Sequence, residues 1–306
     1  MTVTLAITGA TGFVGQAAVD SALAAGHRVI ALTRSAQKSR GGVTWIEGAL
    51  ADAGALEQLV AGADAVLHIA GAVNVPTRAA FAAANIAGTQ AIVDATTLAK
   101  IKRFVHVSSL AARHPDLSNY GWSKGEAEAV VSVSALDWTI IRPPAIYGPR
   151  DGDMFDLFRM ARRGVMLLPP KGRTSIIHVD DLARLLLVAA TTSTDISGQT
   201  YEPDDGTPNG LSHKQLGQAI GKAVGRETLL SLSASETLLR LAARADRMVR
   251  KDRAKLTPDR ASYMSHSDWV ADPALAPPAD LWNPAIPYAK GLADTARWYD
   301  EDGWFG

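Results

Sequence analysis

The chain has 306 residues, of which 47% are apolar and 20% are charged, and its 31 basic residues equal its 31 acidic residues in number. This balance is typical of globular proteins. It argues against a protein whose entire surface is adapted to bind nucleic acid or anionic membranes. The sequence contains no cysteine, which excludes disulfides, thiolate metal sites and cysteine nucleophiles.

The N-terminus and the apolar runs bear on the location of the protein. The first residues enter a strand-like pattern directly, without the basic and apolar regions of a secretory signal. No apolar run approaches the ~18 to 20 residues that a membrane-spanning helix needs. We therefore expect a cytoplasmic protein without a membrane span.

Short apolar runs alternate with alanine-rich helical stretches over the first half of the chain. The runs predict strands at residues 3–8, 28–33, 43–47, 65–69, 103–108 and 138–142. The stretches between them predict helices at residues 13–25, 55–60, 81–97 and 120–134. Strands that are apolar on both faces and alternate with helices are typical of a parallel sheet covered on both sides. The sequence therefore predicts an α/β fold built on a Rossmann-type, doubly wound parallel sheet.

A glycine-rich turn, TGATGFVG, follows the first predicted strand and opens the first predicted helix. Gly9 allows a sharp turn, Gly12 removes a side chain where a pyrophosphate must approach the backbone, and Gly15 allows close packing of helix on strand. A tight turn without a ligand is the alternative, but the strand–turn–helix context favours a dinucleotide. The residues predicted to bind its phosphates are Gly9, Thr11, Gly12, Phe13, Val14 and Gly15.

The second predicted strand ends in Thr33-Arg34, where NAD-binding units usually place an acidic residue for the ribose 2′-hydroxyl. Thr33 has no carboxylate to repel a 2′-phosphate, and Arg34 supplies a guanidinium that can bind one. Lys38 and Arg40 add positive charge nearby. We therefore expect NADP(H) rather than NAD(H). The alternative is that these cations are ordinary solvated surface residues.

The motif YGWSK places Tyr120 and Lys124 four residues apart, and therefore on one face of a helix. An ammonium beside a phenol lowers the pKa of the phenol from about 10, so that it can exchange a proton near neutral pH. The preceding predicted strand ends in Ser108-Ser109 at the sheet edge where ligands bind in such folds. A hydroxyl there can donate to a substrate carbonyl. Each feature alone has an ordinary explanation, but their order along the chain favours a catalytic group.

The pattern changes after about residue 148 and becomes mostly helical. A helix-like stretch at 154–163 and a short strand with its helix at 175–190 precede a loop at 203–210, and a proline-rich segment follows at 273–287. Residues 240–255 hold seven cations and two aspartates, next to leucines at helical spacing. This basic amphipathic helix is either a lid packed by its leucines, which we favour, or an element that binds a surface or an anionic substrate.

Seven motifs together resemble the extended short-chain dehydrogenase/reductase superfamily, of the NAD-dependent epimerase/dehydratase type. They are TGATGFVG, DAVLHIAG, NIAGT, FVHVSS, YGWSK, IIRPPAIYGP and IIHVDDLA. The resemblance covers essentially the whole chain. It implies that Tyr120 is the general acid/base and that Lys124 binds the nicotinamide ribose. It also implies that a serine polarises the reacting carbonyl, for which Ser109 is favoured and Ser108 is the alternative. It implies structural roles for Arg142 and His178. Further cofactor contacts are implied at Leu50, Ala70, Gly71, Asn85, Val107, Pro143 and Ile146.

Departures from the sugar-nucleotide enzymes of this family indicate a closer similarity to its reductase and hydroxysteroid-dehydrogenase branch. Ala49 stands where an acidic residue often follows the glycine, and only ten residues separate Ser109 from Tyr120. We therefore expect hydride transfer between NADP(H) and a small or medium-sized, partly apolar carbonyl or alcohol. A sugar-nucleotide epimerase with bound NAD is the first alternative. A non-catalytic NADPH-binding sensor or scaffold is the second, and YGWSK argues against it.

The expected domain organisation follows from these motifs. An NADP-binding domain is expected at 1–173, with 174–195 returning to it, and a smaller substrate-binding or lid domain is expected at 196–306. The expected partner is a small-molecule substrate, with no nucleic acid and no metal. By analogy with relatives, a homodimer is expected to form through the helices that begin near residues 81 and 120.

Overall fold

The computed structural model of the protein describes residues 1–169, 171–233 and 257–306. The chain divides into two compact units. Unit 1 comprises the segments Met1–Arg142, Leu182–Glu202 and Pro277–Trp282. Unit 2 comprises the segments Pro143–Asp181, Pro203–Ala276 and Asn283–Gly306. The basic stretch at 240–255 lies outside the described residues. The assignment of cofactor binding to 1–173 and of substrate binding to 196–306 stays a prediction, as does the homodimer.

The strands of the described residues are, in chain order, β1 (Thr4–Thr8), β2 (Arg28–Thr33), β3 (Val43–Glu47), β4 (Ala65–His68), β5 (Arg103–Val107), β6 (Asp137–Ile141), β7 (Ala145–Tyr147), β8 (Val165–Leu168), β9 (Arg173–Thr174), β10 (Ile176–His178), β11 (Gln199–Tyr201), β12 (Leu211–Ser212), β13 (Leu230–Ser233) and β14 (Asp268–Trp269). The α-helices are α1 (Phe13–Ala24), α2 (Ala53–Val60), α3 (Arg78–Phe81), α4 (Gly88–Leu98), α5 (Asn119–Ser132), α6 (Phe155–Arg162), α7 (Val179–Thr191), α8 (His213–Ala223), α9 (Pro258–Met264) and α10 (Tyr288–Glu301). None of these helices has the length and apolar character needed to cross a membrane.

Unit 1 contains a seven-stranded sheet in the order β11-β6-β5-β4-β1-β2-β3, in which every neighbouring pair is parallel. The predicted Rossmann-type fold is therefore confirmed, and each of the six predicted strands is present within one residue of its predicted ends. The strand order reverses between β1 and β4. In open sheets of this kind, ligands bind outside the carboxyl ends of the strands at such a reversal.

The sheet of unit 1 forms because its strands bury apolar side chains. Leu5, Val66 and Phe104 are fully buried, and they belong to strands that lie in the middle of the sheet. Leu56 of α2 and Ile92 of α4 join Val66 and Phe104 in one hydrophobic cluster. Burying side chains of this size contributes about 1.5–3 kcal/mol each, so the positions of the strand ends are fixed by packing.

The helix predicted over 81–97 is interrupted in the structure. A π-helical turn, Ala82–Ala87, separates α3 from α4. Such a turn widens the helix by one residue and is frequent at functional sites. Asn85 lies within it and is buried.

Unit 2 is held by small sheets and by a cluster of aromatic side chains. β7 pairs with β10, β8 pairs with β13, and β9 lies between β12 and β14. Phe158 and Tyr299 are fully buried, and the Tyr299 hydroxyl donates to the Asp151 carbonyl oxygen at 2.6 Å. The buried ring of His178 packs edge-on against Tyr147, with 5.3 Å between ring centroids.

Candidate active site

The glycine-rich turn connects β1 to α1 at the carboxyl edge of the sheet. Gly9 has a φ of +73°, and a Cβ at this position would lie 2.7 Å from the backbone nitrogen of Ala70, so that only glycine fits. A Cβ on Gly15 would overlap the Gly9 carbonyl oxygen. Gly12 is the N-cap of α1 and gives the helix no side-chain hydrogen bond. The result is a cradle without side chains beneath an uncapped helix N-terminus, which fits a pyrophosphate.

Three further predicted phosphate-binding residues lie on the same turn. Thr11 is exposed, and Phe13 and Val14 are half-buried in the first turn of α1. The side chain of Gln16 donates to the Thr11 carbonyl oxygen at 2.8 Å and so ties the turn to the helix. The backbone N–H groups of this segment are thereby held in place at the sheet edge.

The end of β2 presents the residues predicted to select the cofactor. Thr33 is buried, and its hydroxyl donates to a backbone carbonyl two residues later at 2.7 Å. Arg34 and Lys38 are exposed, and neither has an ion-pair partner among the described residues. Arg40, in contrast, pairs with Asp20 at 2.6 Å. The guanidinium of Arg34 and the ammonium of Lys38 are therefore available to an anion.

The loop after β4 meets the π-helical turn and α5 at one point. The Asn85 side chain accepts from the Ala72 backbone nitrogen at 2.6 Å and donates to the Ser123 hydroxyl at 2.8 Å. A Cβ on Gly71 would lie 3.4 Å from Asn85 Oδ1 and 3.8 Å from Lys124 Nζ. Asn85 therefore joins the loop after β4 to the helix that carries Tyr120 and Lys124.

Lys124 is buried on α5, and its Nζ donates to the Val107 carbonyl oxygen at 2.7 Å. Burial lowers the pKa of Lys124 to about 8, and the Glu128 carboxylate one turn later opposes this shift. Tyr120 lies one turn before Lys124 and is half-buried, with its ring centroid 6.2 Å from that of Phe81. A cation held in place one helical turn from a phenol is the arrangement that favours proton exchange by the phenol.

The two serines after β5 have different surroundings. The buried Ser108 hydroxyl donates to Glu128 Oε1 at 2.5 Å. Ser109 is half-buried, and its Oγ accepts from the Ala111 backbone nitrogen at 3.2 Å, so that its proton remains available. A Cβ on Gly121 would lie 2.6 Å from the Ala111 carbonyl oxygen, so the turn after Ser109 packs directly on α5. Ser109 therefore keeps a hydroxyl donor close to the helix of Tyr120.

Three other predicted cofactor contacts lie in different settings. Leu50 is half-buried, packs on the hydrophobic cluster of unit 1 and contacts Gly88 of α4. Pro143 and Ile146 belong to unit 2, where Pro143 is buried and Ile146 pairs with Ile177 of β10. A role for Leu50, Pro143 and Ile146 in cofactor binding stays a prediction.

Sequence reasoning missed two histidines buried next to Lys124. His68 on β4 and His106 on β5 lie opposite each other, and their ring centroids are 5.2 Å apart. Burial, followed by the charge of Lys124, lowers the pKa of His68 to about 3 and that of His106 well below its ordinary value. Both rings are therefore neutral near pH 7. The only sequence signal was a polar residue within each of two apolar strands.

A group of four charged residues was also missed. Arg142 donates to Glu128 from Nε at 2.9 Å and from Nη2 at 2.6 Å, and to Glu202 from Nη1 at 3.4 Å. Arg113 pairs with Glu202 at 3.1 Å. These residues come from four separate segments of the chain, so no local sequence pattern relates them.

Comparison with known proteins agrees with this geometry. The family model described as NAD(P)H-binding matches residues 9–191. The ceramide reductase of Caulobacter vibrioides is 32% identical over an alignment that covers 98% of this chain and 95% of that protein. The 2-alkyl-3-oxoalkanoate reductase of Stenotrophomonas maltophilia is 29% identical, with 79% of this chain and 82% of that protein covered.

A solved structure has the same fold as this chain. The Bordetella bronchiseptica enzyme WbmH, solved in complex with NAD⁺, is 20% identical and superimposes with a TM-score of 0.76 over 99% of this chain and 100% of that one. At this identity the likeness concerns the fold alone. The family match and the nearly full-length similarity to a reductase carry the assignment. The chain belongs to the extended short-chain dehydrogenase/reductase superfamily and is an NAD(P)-dependent oxidoreductase of that type.

Proposed function

We propose that the protein is an NADP(H)-dependent ketoreductase whose substrate carries an apolar chain. The observation that carries the proposal is that Lys124 is buried and hydrogen-bonded to the carboxyl end of β5, on the helix of Tyr120 and beside the strand that Ser109 follows. The two reductases described above support the substrate class, since one is named for ceramide and the other for a 2-alkyl-3-oxoalkanoate. Both names describe compounds with alkyl chains.

The residues present divide the chemistry between them. The glycine-rich turn would hold the pyrophosphate of NADPH, which when bound would supply a hydride to the carbonyl carbon of the substrate. Ser109 donates a hydrogen bond to the carbonyl oxygen and stabilises the negative charge that develops on it. The Tyr120 hydroxyl gives its proton to the same oxygen, which completes the alcohol. The Lys124 ammonium stabilises the phenolate that remains until water returns the proton.

The preference for NADP(H) is part of this proposal. A 2′-phosphate needs positive charge and the absence of a carboxylate at the end of the second strand. Thr33 occupies that position, and the exposed Arg34 and Lys38 follow it without ion-pair partners among the described residues. A guanidinium binds phosphate in a forked geometry, so Arg34 is the principal contact and Lys38 adds charge.

The test uses NADPH deuterated at the transferred position of C4 and a panel of 3-oxo esters with alkyl chains of increasing length. We expect net consumption of NADPH and deuterium on the new carbinol carbon, with kcat/KM rising with chain length. A sugar-nucleotide epimerase would leave NADPH unconsumed and would interconvert UDP-sugars without net oxidation. Absence of ketone reduction together with such interconversion would overturn the proposal.

A further inference from the structure

The group of four charged residues described above forms a continuous chain, which we call the charge clamp: Glu128, Arg142, Glu202 and Arg113. The signs alternate along it, and each member bonds the next at 2.6 to 3.4 Å. Glu128 lies on α5, Arg142 follows β6, Glu202 follows β11, and Arg113 ends the turn after β5. The charge clamp therefore crosses the carboxyl edge of three adjacent strands, β5, β6 and β11.

The charge clamp is largely removed from water. The side chain of Glu202 is 0% exposed, and that of Glu128 is 10% exposed. Arg142 and Arg113 are 21% and 20% exposed. Desolvation of buried ions offsets most of their attraction, so such networks are a poor source of stability compared with apolar packing. A network of this kind is better explained by the geometry that it fixes.

The geometry that it fixes is the turn that carries Ser109. At the start of the turn, the Ser108 hydroxyl donates to Glu128 at 2.5 Å. At its end, Arg113 pairs with Glu202 at 3.1 Å. Arg142 joins the two carboxylates, so both ends of the short segment that contains Ser109 are attached to the same chain of charges.

The charge clamp also reaches the helix of the acid/base pair. Glu128 follows Lys124 by one helical turn on α5, and its carboxylate favours the charged form of the buried lysine. The Arg142 guanidinium holds that carboxylate through two hydrogen bonds. One side chain, Glu128, is therefore connected both to the turn of Ser109 and to the helix of Tyr120 and Lys124.

We propose that the charge clamp positions the Ser109 hydroxyl relative to Tyr120 and Lys124, and that its four members are positioning residues of the acid/base site. Its expected effect on turnover rests on the proposed function. Its effect on the order of the Ser109 turn does not, so the two can be tested separately.

The first measurement is hydrogen–deuterium exchange of the peptide that covers residues 108–114 in the full-length protein without cofactor. We expect exchange at least tenfold faster in Glu202→Gln and in Arg113→Met. The matched control is Arg103→Gln, because Arg103 pairs with Asp137 at 3.1 Å at the opposite, amino ends of β5 and β6. It should leave this peptide unchanged. Unaltered exchange in both clamp variants would overturn the proposal.

The second measurement is turnover of a 3-oxo ester with NADPH. Glu202→Gln should lower kcat by 10- to 100-fold and leave the Kd for NADPH within twofold, but in a Ser109→Ala background it should change kcat by less than twofold. An equal loss in both backgrounds would show that the clamp does not act through Ser109. Should Glu202→Gln fail to fold, Arg113→Met and the charge-retaining Arg113→Lys provide the comparison, with Arg113→Lys recovering most of the lost turnover. Full activity of Tyr120→Phe would instead contradict the proposed function.

Discussion

A buried ionisable group of unit 1, Lys124, is hydrogen-bonded to a strand of the seven-stranded sheet, whereas one of unit 2, Asp151, is hydrogen-bonded within its own loop. Lys124 of unit 1 donates to the Val107 carbonyl oxygen at the carboxyl end of β5. Asp151 of unit 2 accepts from the backbone nitrogens of Asp153 and Met154 and so caps the approach to α6. Burial lowers the pKa of Lys124 to about 8 and raises that of Asp151 to about 7. The same desolvation thus acts on a lysine bonded to the sheet edge in one unit and on an aspartate bonded within its own loop in the other.

The largest expected effect contrasts two tyrosines. Tyr120 is half-buried near Lys124, whereas Tyr299 is fully buried, donates to the Asp151 carbonyl oxygen and has its pKa raised by burial. Tyr120→Phe should lower kcat by roughly 1,000-fold, since general acid catalysis contributes about 10²–10⁴-fold, with the Kd for NADPH within twofold. Tyr299→Phe should leave kcat unchanged and cost about 1 kcal/mol of stability. Steady-state kinetics, NADPH fluorescence titration and denaturant unfolding measure kcat, the Kd for NADPH and the stability. A similar loss of kcat in both variants would contradict a specific catalytic role for Tyr120.

The pH dependence of stability should have opposite signs in the two units. Between pH 8 and 10.5 the folded protein releases the Lys124 proton while the unfolded chain keeps it. Lys124 therefore makes the free energy of unfolding rise by ~3 kcal/mol over this pH range. Between pH 3.8 and 7 the folded protein keeps the Asp151 proton that the unfolded chain releases, so stability falls as pH rises, by ~4 kcal/mol.

Two substitutions isolate these contributions. Lys124→Met should abolish the rise above pH 8. Asp151→Asn should abolish the fall between pH 3.8 and 7 and leave the rise above pH 8 unchanged. Urea unfolding at a series of pH values measures both. If the free energy of unfolding changed with pH in the same way in both variants and in the parent protein, burial would not shift the pKa of either group as described.

The two serines after β5 give a smaller contrast within unit 1. Ser109→Ala should lower kcat by about 100-fold, since an oxyanion donor contributes about 10²–10³-fold. It should cost only about 1 kcal/mol of stability, the value of its N-cap hydrogen bond to Ala111. Ser108→Ala removes a hydrogen bond to a carboxylate and should cost about 1.5–3 kcal/mol of stability. Kinetics and thermal unfolding on both variants test this division. A larger loss of kcat in Ser108→Ala than in Ser109→Ala would mean that Ser108 donates to the substrate and that Ser109 has the structural role.

The sequence indicated the six central strands and the position of the glycine-rich turn because both depend on local pattern. Apolar residues on both faces define buried strands, and Gly9 is required by a backbone φ of +73°. Local pattern did not reveal β11, which has three residues, or the π-helical turn around Asn85, since neither changes the apolar periodicity. The charge clamp could not be predicted from the sequence for a different reason. Glu202 lies 60 residues from Arg142 and 89 residues from Arg113 along the chain, and only the sheet order brings them together.

Exposed arginines extend the contrast between the units to the surface. Arg34 of unit 1 has no ion-pair partner among the described residues, whereas Arg162 of unit 2 pairs with Asp300 at 2.9 Å. If Arg34 binds a 2′-phosphate, Arg34→Ala should weaken NADPH binding by about tenfold, the value of one charge-assisted hydrogen bond, and should leave NADH binding within twofold. Arg162→Ala should change neither affinity. A second control within unit 1 is Arg40→Ala, because Arg40 is already paired with Asp20. Side-by-side titrations with NADPH and NADH measure all three variants, and an equal loss of both cofactors in Arg34→Ala would mean that this residue binds the dinucleotide elsewhere than at the 2′-position.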